Sequence, residues 1–474
     1  MKSNKETSFL HHIFHLGAGS FLYLLIGAIG TPILTRLVSP DTYGSVSMLN
    51  VYGQIGMMLC GIGLDQTLVH HYYDEPSPEK QRNLLFRCSG TALGMSVIVA
   101  NLLCMLFRSA KEIYLLALYI PTLLLYRFSM VTLRLSYQTR AYSAIQILQK
   151  AAYLLIGISA VLLSTVQHEV SLAVATVLST LIASLIAFGC GRERWLPLHL
   201  TETCSVKHSA LIAYGLPIML SSGIHMLFQA MDRLFLNYFC ELSVVGIYTS
   251  ALNLIAVFSV VRTAFTAIWL TTALDHHADN PKDHTFFVRG NSCISVVMIC
   301  FAAGVVLCKD LFALLLGPQY QAAAFLLPWL IFEPVLYTIS ETTAVSIATQ
   351  KKPVYQLLVA IGSCTANFLG NLWLTPIMGA NGAAISTAVS YLLFYLLRTI
   401  FAHKIDPIPY SHRSFAISIF ALLVFSCYSS RHAFTPVQIP MCLAVLAVTF
   451  ACYKDTVRFM LDYLLDMLRK RKRH

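Results

Sequence analysis

Two adjacent charged residues, Asp232 and Arg233, lie inside an apolar run that spans residues 209–239. Charged side chains are costly in hydrocarbon, so a charge pair inside such a run marks a candidate functional site. On a helix, His225, Gln229 and Asp232 fall on one face and form a polar stripe. Because adjacent residues point about 100° apart on a helix, Asp232 and Arg233 are each expected to meet partners on other helices. This arrangement suits the binding of a polar or charged ligand inside a membrane.

A second stripe, in the apolar run 323–348, carries two carboxylates. Glu333, Tyr337 and Glu341 recur at four-residue steps and share one helical face. A kink is expected beside them at Pro334. Either carboxylate could titrate or bind a cation, which predicts a coupling site for a proton or a sodium ion. The alternative is that both carboxylates form hydrogen bonds within the helix bundle.

Four arginines lie nearest the membrane interior: Arg36, Arg127, Arg233 and Arg262. A guanidinium group binds phosphate through paired donors, so these residues predict a cavity for an anionic, phosphate-bearing headgroup. The alternative is that their charged ends reach the membrane interface, which fits Arg36 and Arg127 best because they lie near the ends of their runs. Arg233 and Arg262 are therefore the principal substrate-binding candidates, with Arg36 as a third.

Four amide side chains inside the apolar runs are further candidates for a polar cavity: Asn50, Asn253, Asn367 and Asn371. Asn367 and Asn371 are four residues apart and share a helical face. For these residues and for Asn50, hydrogen bonding between helices is the favoured alternative to ligand contact.

The composition excludes several classes of protein. Of 474 residues, 57% are hydrophobic and only 12% are charged, and the mean hydropathy is +0.68. These values indicate an all-α polytopic membrane protein. The net charge of +11 comes from basic residues between apolar runs, so it does not predict nucleic-acid binding. We find no CxxC pair, metal motif, phosphate-binding loop or catalytic constellation, so neither an enzyme nor a cofactor is predicted.

About fourteen apolar runs are long enough to span a membrane. Their approximate limits are 14–36, 43–64, 84–107, 112–134, 142–164, 170–190, 209–239, 244–270, 287–308, 323–348, 354–376, 381–402, 413–429 and 437–453. With the N-terminus inside, 25 of the 33 Lys and Arg residues, Lys150 and Arg398 among them, count as cytoplasmic and five as external. This asymmetry predicts a multi-pass protein of the cytoplasmic (inner) membrane with both termini in the cytoplasm. The basic tail after residue 453 predicts an amphipathic helix lying on anionic membrane lipids.

The two halves of the chain are related by a weak repeat. Gly44 corresponds to Gly246, Asn50 corresponds to Asn253, and a pair of histidines beside aspartates follows each. Adjacent histidines on a helix cannot both face one ion, so these pairs do not predict a metal site. The repeat instead predicts two six-helix lobes, as in alternating-access carriers. The predicted divisions are residues 1–206 and 207–403 for the lobes, and 404–474 for two additional helices with the basic tail.

Several stretches together resemble one known family. They are Leu34 to Leu37 with Tyr43-Gly44, Leu216-Pro217 with Asp232-Arg233, Val245 to Tyr248, Leu315 to Tyr320, and Asn367 to Ala384. They resemble the Wzx-like polysaccharide flippases, whose superfamily also contains MATE multidrug exporters and lipid II flippases. The resemblance implies two six-helix lobes around a central cavity. It also implies transfer of an isoprenoid-diphosphate-linked oligosaccharide to the outer leaflet by alternating access. Arg36, Asp232 and Arg233 match charged positions of the family pattern.

Two other functions remain open. A cation-coupled multidrug exporter of the same fold should favour an acidic cavity, so the clustered arginines argue against it. A non-transporting membrane scaffold of a glycan-synthesis complex gains nothing from costly charges inside its helices. The expected partners are therefore the lipid-linked oligosaccharide, membrane lipids, a proton or sodium ion, and a glycan polymerase or glycosyltransferases.

Overall fold

The computed structural model describes residues 22–106, 111–163, 168–196, 204–280, 283–350 and 352–471. Predictions that rest on Lys2, Lys5, Arg108, Lys282, Lys351, residues 14–21 or residues 472–474 lie outside these ranges. The helices in chain order are α1 (Leu22–Leu37), α2 (Pro40–Gly61), α3 (Leu64–His71), α4 (Pro78–Leu106), α5 (Lys111–Leu135), α6 (Thr139–Leu163), α7 (His168–Cys190), α8 (Arg192–Trp195), α9 (His208–Phe239), α10 (Leu242–Asp279), α11 (His284–Leu307), α12 (Lys309–Leu314), the 3₁₀ helix η1 (Pro318–Phe325), α13 (Leu327–Leu330), α14 (Phe332–Thr343), α15 (Val345–Thr349), α16 (Pro353–Met378), α17 (Ala380–Ile405), α18 (His412–Ser429), α19 (Gln438–Cys452) and α20 (Lys454–Arg471).

The described residues form helices and connecting turns, which confirms the predicted all-α polytopic membrane fold. Among them, nine helices are long and apolar enough to cross a membrane, or up to twelve if each of three bent pairs is one span. Two shorter apolar segments are α1 and the Leu242–Phe258 part of α10. Helices satisfy their own backbone hydrogen bonds, which is why apolar runs of this length adopt them in lipid. Each predicted run overlaps a described helix, while the count of fourteen crossings stays a prediction.

Two breaks between consecutive helices, at Ile62-Gly63 and at Ile331, have local causes. α2 and α3 meet at 51°, where Ile62 and Gly63 both have positive φ, +47° and +68°. In the run predicted to kink at Pro334, the 46° bend lies at Leu326, between η1 and α13. A further break, without such a bend, lies at Ile331, between α13 and α14. Pro334 has no N–H to donate to the carbonyl four residues earlier, so the helix is interrupted just before it.

Contacts within the chain define two compact units. Unit 1 contains Met1–Arg233 and Glu241–Gly246, and unit 2 contains Leu234–Cys240 and Ile247–His474. The boundaries at residues 206 and 403 expected from the repeat stay a prediction.

Unit 1 has an apolar core between α2, α3, α4 and α5, which includes Leu68, Leu84, Leu124 and Phe128. Lys150, which the charge distribution predicts to be cytoplasmic, lies inside α6. Its ammonium group is 5.7 Å from the ring centroid of Tyr23 and 5.6 Å from that of Tyr153. Aromatic faces attract a cation, so these two contacts stabilise the Lys150 ammonium group within the helix bundle.

The two glycines that the sequence repeat aligns contact each other's helices. A Cβ atom on Gly44 would lie 2.0 Å from the carbonyl oxygen of Leu242, and one on Gly246 would lie 2.0 Å from that of Pro40. Leu242 lies four residues before Gly246, and Pro40 lies four residues before Gly44, so the two contacts are equivalent. The first turns of α2 and α10 approach so closely that neither position has room for a side chain.

Unit 2 packs α14, α16 and α17 closely, and α11 lies against α14, α18 and α19. A Cβ on Gly382 would lie 2.2 Å from the carbonyl oxygen of Leu374, so α16 and α17 touch through small residues.

The tail helix α20 turns by 89° from α19. The Arg289 guanidinium of α11 lies 5.5 Å from the ring centroid of Phe459 in α20. The placement of α20 on membrane lipids stays a prediction.

Candidate functional site

The polar stripe of α9 contains both exposed and buried residues. His225 and Gln229 are exposed, with their Nε2 atoms 3.1 Å apart, whereas Asp232 is buried. Arg233 is half-buried and its Nη2 donates to the carbonyl oxygen of Gln229 over 3.4 Å. The helical spacing thus brings His225, Gln229 and Arg233 into contact as a connected polar strip. Their role in binding or coupling stays a prediction.

An ion pair in unit 1 joins two residues that the sequence patterns do not connect. Arg127 of α5 donates from Nη2 and Nε to Oδ2 of Asp65, over 2.8 and 2.9 Å. Gln66 Nε2 donates to the same oxygen over 2.9 Å. The Arg127 side chain is 49% exposed and that of Asp65 only 18%. The carboxylate is thus the covered partner, and the guanidinium is the accessible one.

The break between α2 and α3 positions Asp65. Gly63 supplies the left-handed conformation at this turn, and a Cβ there would lie 2.3 Å from the carbonyl oxygen of Gly215. Only glycine fits both the conformation and the close approach of α9. Asp65 follows in the first turn of α3, where a carboxylate also suits the helix dipole.

The ion pair borders a cavity of about 260 Å³ within unit 1. Its polar lining consists of Gln54, Asp65, Gln66, Arg127 and Ser222. Four methionines, at positions 57, 58, 219 and 226, contribute much of the apolar wall. One accessible cation, two amides and a hydroxyl beside flexible apolar side chains suit a ligand with both anionic and sugar-like groups.

In unit 2, two ion pairs enclose an aromatic ring. Arg398 Nη1 lies 2.6 Å from Glu341 Oε1, and Arg262 Nη1 lies 3.6 Å from Glu333 Oε1. The guanidinium carbons of Arg262 and Arg398 lie 4.8 and 5.7 Å from the ring centroid of Tyr337. The predicted stripe of α14 therefore faces two cations. We refer to these five side chains as the unit 2 cluster.

Arg398 is a candidate that the sequence patterns do not indicate, because the charge distribution assigns it to the cytoplasmic side. It lies inside α17, and its side chain is only 9% exposed. It also donates to Ser340 Oγ over 3.0 Å. Its position inside the apolar run 381–402 was the available signal. Spacing along one helix could not identify Glu341 on another as its partner.

The amide candidates on α16 join two helices. Asn367 Nδ2 donates to Thr387 Oγ1 over 3.2 Å, and Asn371 Nδ2 donates to Ser386 Oγ over 3.3 Å. Both asparagines are fully buried. Ser386 Oγ in turn donates to the carbonyl oxygen of Asn367 over 3.0 Å. These contacts provide the interhelical hydrogen bonding that was the favoured alternative, and a cavity role stays a prediction.

The remaining candidates lie in separate places. Asn50 accepts a hydrogen bond of 2.8 Å from the Tyr119 hydroxyl, linking α2 and α5. Asn253 is half-buried on α10. Arg36 is exposed at the last turn of α1, and both its substrate-binding role and the interfacial alternative stay predictions.

The paired histidines have other partners. His70 stacks on Tyr214 with ring centroids 4.6 Å apart, and His276 Nε2 lies 3.0 Å from Asp283 Oδ2. Within the described part of the chain, no group of three or more His, Cys, Asp or Glu side chains could hold a metal ion.

Solved structures of transporters share this fold. The lipid II flippase MurJ in an inward closed conformation is 13% identical, with a TM-score of 0.66 and coverage of 93% of this chain and 99% of that chain. An inward-facing MATE multidrug resistance transporter of the MOP superfamily is 17% identical, with a TM-score of 0.58 and coverage of 81% and 93%. The Vibrio cholerae MATE transporter VcmN, in a mutant form, is 13% identical, with a TM-score of 0.51 and coverage of 84% and 97%. At these identities the likeness establishes the fold.

The sequence comparison identifies the family. No curated protein sequence matches the chain significantly. The profile of the polysaccharide biosynthesis protein family matches residues 9–270. This match confirms the resemblance described from the sequence motifs, and the fold is the one found in the solved transporter structures. Because the match extends over more than half of the chain, the protein belongs to the polysaccharide biosynthesis protein family.

Proposed function

We propose that the protein moves an isoprenoid-diphosphate-linked oligosaccharide from the inner to the outer leaflet of the cytoplasmic membrane, for surface polysaccharide synthesis. The observation that carries this proposal is the set of arginines within apolar helices of a transporter fold. A diphosphate headgroup requires cations that remain accessible in a low-dielectric environment, and guanidinium groups supply paired donors for it. The matched family contributes the polysaccharide context.

Arg233 and Arg262 are the proposed anchors for the diphosphate. The Arg262 contact with Glu333 is long, 3.6 Å, and the Arg262 side chain is 24% exposed. A loose, partly accessible pair can exchange its carboxylate for a phosphate more readily than the short, buried Arg398–Glu341 pair. Arg262 is therefore the member of the unit 2 cluster best suited to ligand contact.

Glu333 and Glu341 are the proposed coupling residues, with a proton or a sodium ion as the driving ion. Each carboxylate has an arginine partner in this structure. Loading a cation on either carboxylate would weaken its ion pair and release the arginine toward an anionic ligand. Coupling and substrate binding would thus compete for the same charges.

The proposed orientation has both termini in the cytoplasm. It rests on the excess of Lys and Arg on one side of the helices, which remains large when Lys150 and Arg398 are assigned to helix interiors. A glycan polymerase and glycosyltransferases are the proposed protein partners, because they would consume and supply such a substrate.

A cation-coupled multidrug exporter is the alternative that the fold favours, since MATE transporters share it. Such an exporter would need carboxylates available to cationic drugs. Glu333, Glu341 and Asp65 each contact an arginine instead, which supports an anionic substrate.

The test is transport in reconstituted vesicles. A labelled lipid-diphosphate oligosaccharide is incorporated, and the fraction of sugar reached by an impermeant glycosidase is measured with and without the protein. Arg233→Ala and Arg262→Ala should each abolish transfer, and Lys at either position should restore part of it, because charge returns without the bidentate fork. Arg431→Ala, at an exposed residue between α18 and α19, is the charge-matched control. Wild-type transfer by both Ala variants would refute the anchor, and no transfer by the wild-type protein would refute the function.

A further inference from the structure

The geometry points to a second anion site, in the unit 1 cavity, at which Arg127 binds the phosphate groups of the substrate before transfer. This inference rests on the proposed function, because it takes the substrate's headgroup as the ligand. It adds a site outside the residues that the sequence motifs indicate.

The two charges of the ion pair differ in accessibility. The Arg127 guanidinium is half exposed beside the cavity, whereas the Asp65 carboxylate is largely covered. A ligand that enters the cavity therefore meets the cation first.

The hydrogen-bond geometry of the ion pair is not the best that the Arg127 donors could make. Nε and Nη2 of Arg127 and Nε2 of Gln66 all donate to the single oxygen Oδ2 of Asp65. A guanidinium pairs best through two parallel bonds to two oxygens. A phosphate group offers those two oxygens, so it can satisfy the two Arg127 donors better than the one crowded carboxylate oxygen does.

The composition of the cavity wall indicates the class of ligand. Gln54, Gln66 and Ser222 provide donors and acceptors for hydroxyl groups. The four methionines of the wall adapt in shape, which suits an oligosaccharide and the start of an isoprenoid chain. The ligand class is thus a phosphorylated amphiphile and not an inorganic anion alone.

The location agrees with capture from the cytoplasmic leaflet. Arg127 lies eight residues before the end of α5 at Leu135, about 12 Å along the helix. In the proposed orientation that end of α5 is cytoplasmic. The cavity therefore lies in the half of unit 1 that a substrate made in the cytoplasm would reach first.

The experiment uses the full-length protein in lipid nanodiscs and farnesyl diphosphate as the probe, with farnesol as the uncharged comparison. Affinity is measured by competition with a fluorescent isoprenyl diphosphate. The principal variant is Asp65→Asn with Arg127→Gln, which removes both charges together and leaves no uncompensated carboxylate. Its affinity for farnesyl diphosphate should fall at least about tenfold, as expected for loss of a charge-assisted hydrogen bond, while farnesol binding is unchanged.

Two further variants separate binding from structure. Asp65→Asn alone should keep or increase the affinity for the diphosphate, because the competing carboxylate is removed. Arg134→Gln, an exposed residue on the same helix that does not line the cavity, is the matched control. Wild-type affinity in the double variant, or loss of affinity in Asp65→Asn, would overturn the site.

The outcomes for site and function are distinct. If the wild-type protein transfers the lipid-linked oligosaccharide and the double variant binds and transfers normally, the site is wrong and the function stands. If the wild-type protein binds farnesyl diphosphate through Arg127 but transfers nothing, the site stands and the proposed function fails.

Discussion

The two units use intramembrane ion pairs in different ways. In unit 1 the Asp65–Arg127 pair borders a cavity, and its cation is half exposed. In unit 2 the Arg398–Glu341 pair is about nine-tenths buried and packs beside the rings of Tyr337 and Phe394. An accessible cation is available to an anionic ligand, whereas an enclosed pair holds helices together until something displaces it. Exposure, more than the presence of charge, separates a proposed capture site from a proposed locking contact.

The largest effect is expected from breaking the buried pair of unit 2. Arg398→Ala should destabilise the protein by about 3–5 kcal/mol, because it leaves the Glu341 carboxylate buried without this partner. Replacing both residues by Leu should recover most of the loss. The measurement is the temperature at which the monodisperse chromatographic peak disappears, with Arg413→Ala as the exposed control. Equal melting temperatures for Arg398→Ala and the control would show that the Arg398–Glu341 pair does not hold the helices together.

Next in size is the effect of the α14 carboxylates on coupling. A tenfold gradient of the driving ion is worth about 1.4 kcal/mol per ion, or a tenfold difference in accumulation. Glu341→Gln and Glu333→Gln are expected to remove this dependence in vesicles with an imposed proton or sodium gradient. Full gradient dependence in both variants would show that neither carboxylate couples transport.

A smaller effect on stability is expected in unit 1. Replacing both Asp65 and Arg127 by Leu should change the free energy of unfolding by about 1 kcal/mol or less, because half-exposed pairs contribute little. The same melting assay measures the difference, with the wild-type protein and Arg398→Ala run beside the double variant. If the double variant loses as much stability as Arg398→Ala, both ion pairs are structural and the two units do not differ in this respect.

The smallest perturbation tests which side of the membrane the cavity opens to. Ser222→Cys in a background without the thirteen native cysteines should react with an impermeant thiol reagent in inside-out vesicles. His432→Cys, in the loop before α19, should react in intact cells instead. Labelling of Ser222→Cys from outside intact cells together with protection in inside-out vesicles would reverse the proposed orientation.

Much of the fold could be predicted from the sequence. Apolar runs become helices because lipid offers the backbone no other hydrogen-bond partners. The shared face of Glu333, Tyr337 and Glu341 also follows from helical periodicity alone. Both features depend only on residues that are close together in the chain, so they can be predicted from the sequence.

The pairing of charges could not be predicted in the same way. Arg398 meets Glu341 and Arg127 meets Asp65 across 57 and 62 residues of sequence. Such contacts depend on how separate helices pack, and periodicity within one helix does not determine that. Sequence patterns alone accordingly place Arg398 on the cytoplasmic side and favour an interfacial position for Arg127.

The reciprocal approach of Gly44 and Gly246 bears on how the chain could have arisen. The positions that the weak sequence repeat aligns face each other's backbone, with Gly44 against Leu242 and Gly246 against Pro40. This exchange of partners is the pattern of an isologous interface, in which two identical subunits meet across a two-fold axis. A half-length ancestor with one glycine at this position would already have contained both sides of the contact. Gene duplication and fusion would then have joined a self-complementary dimer into one polypeptide.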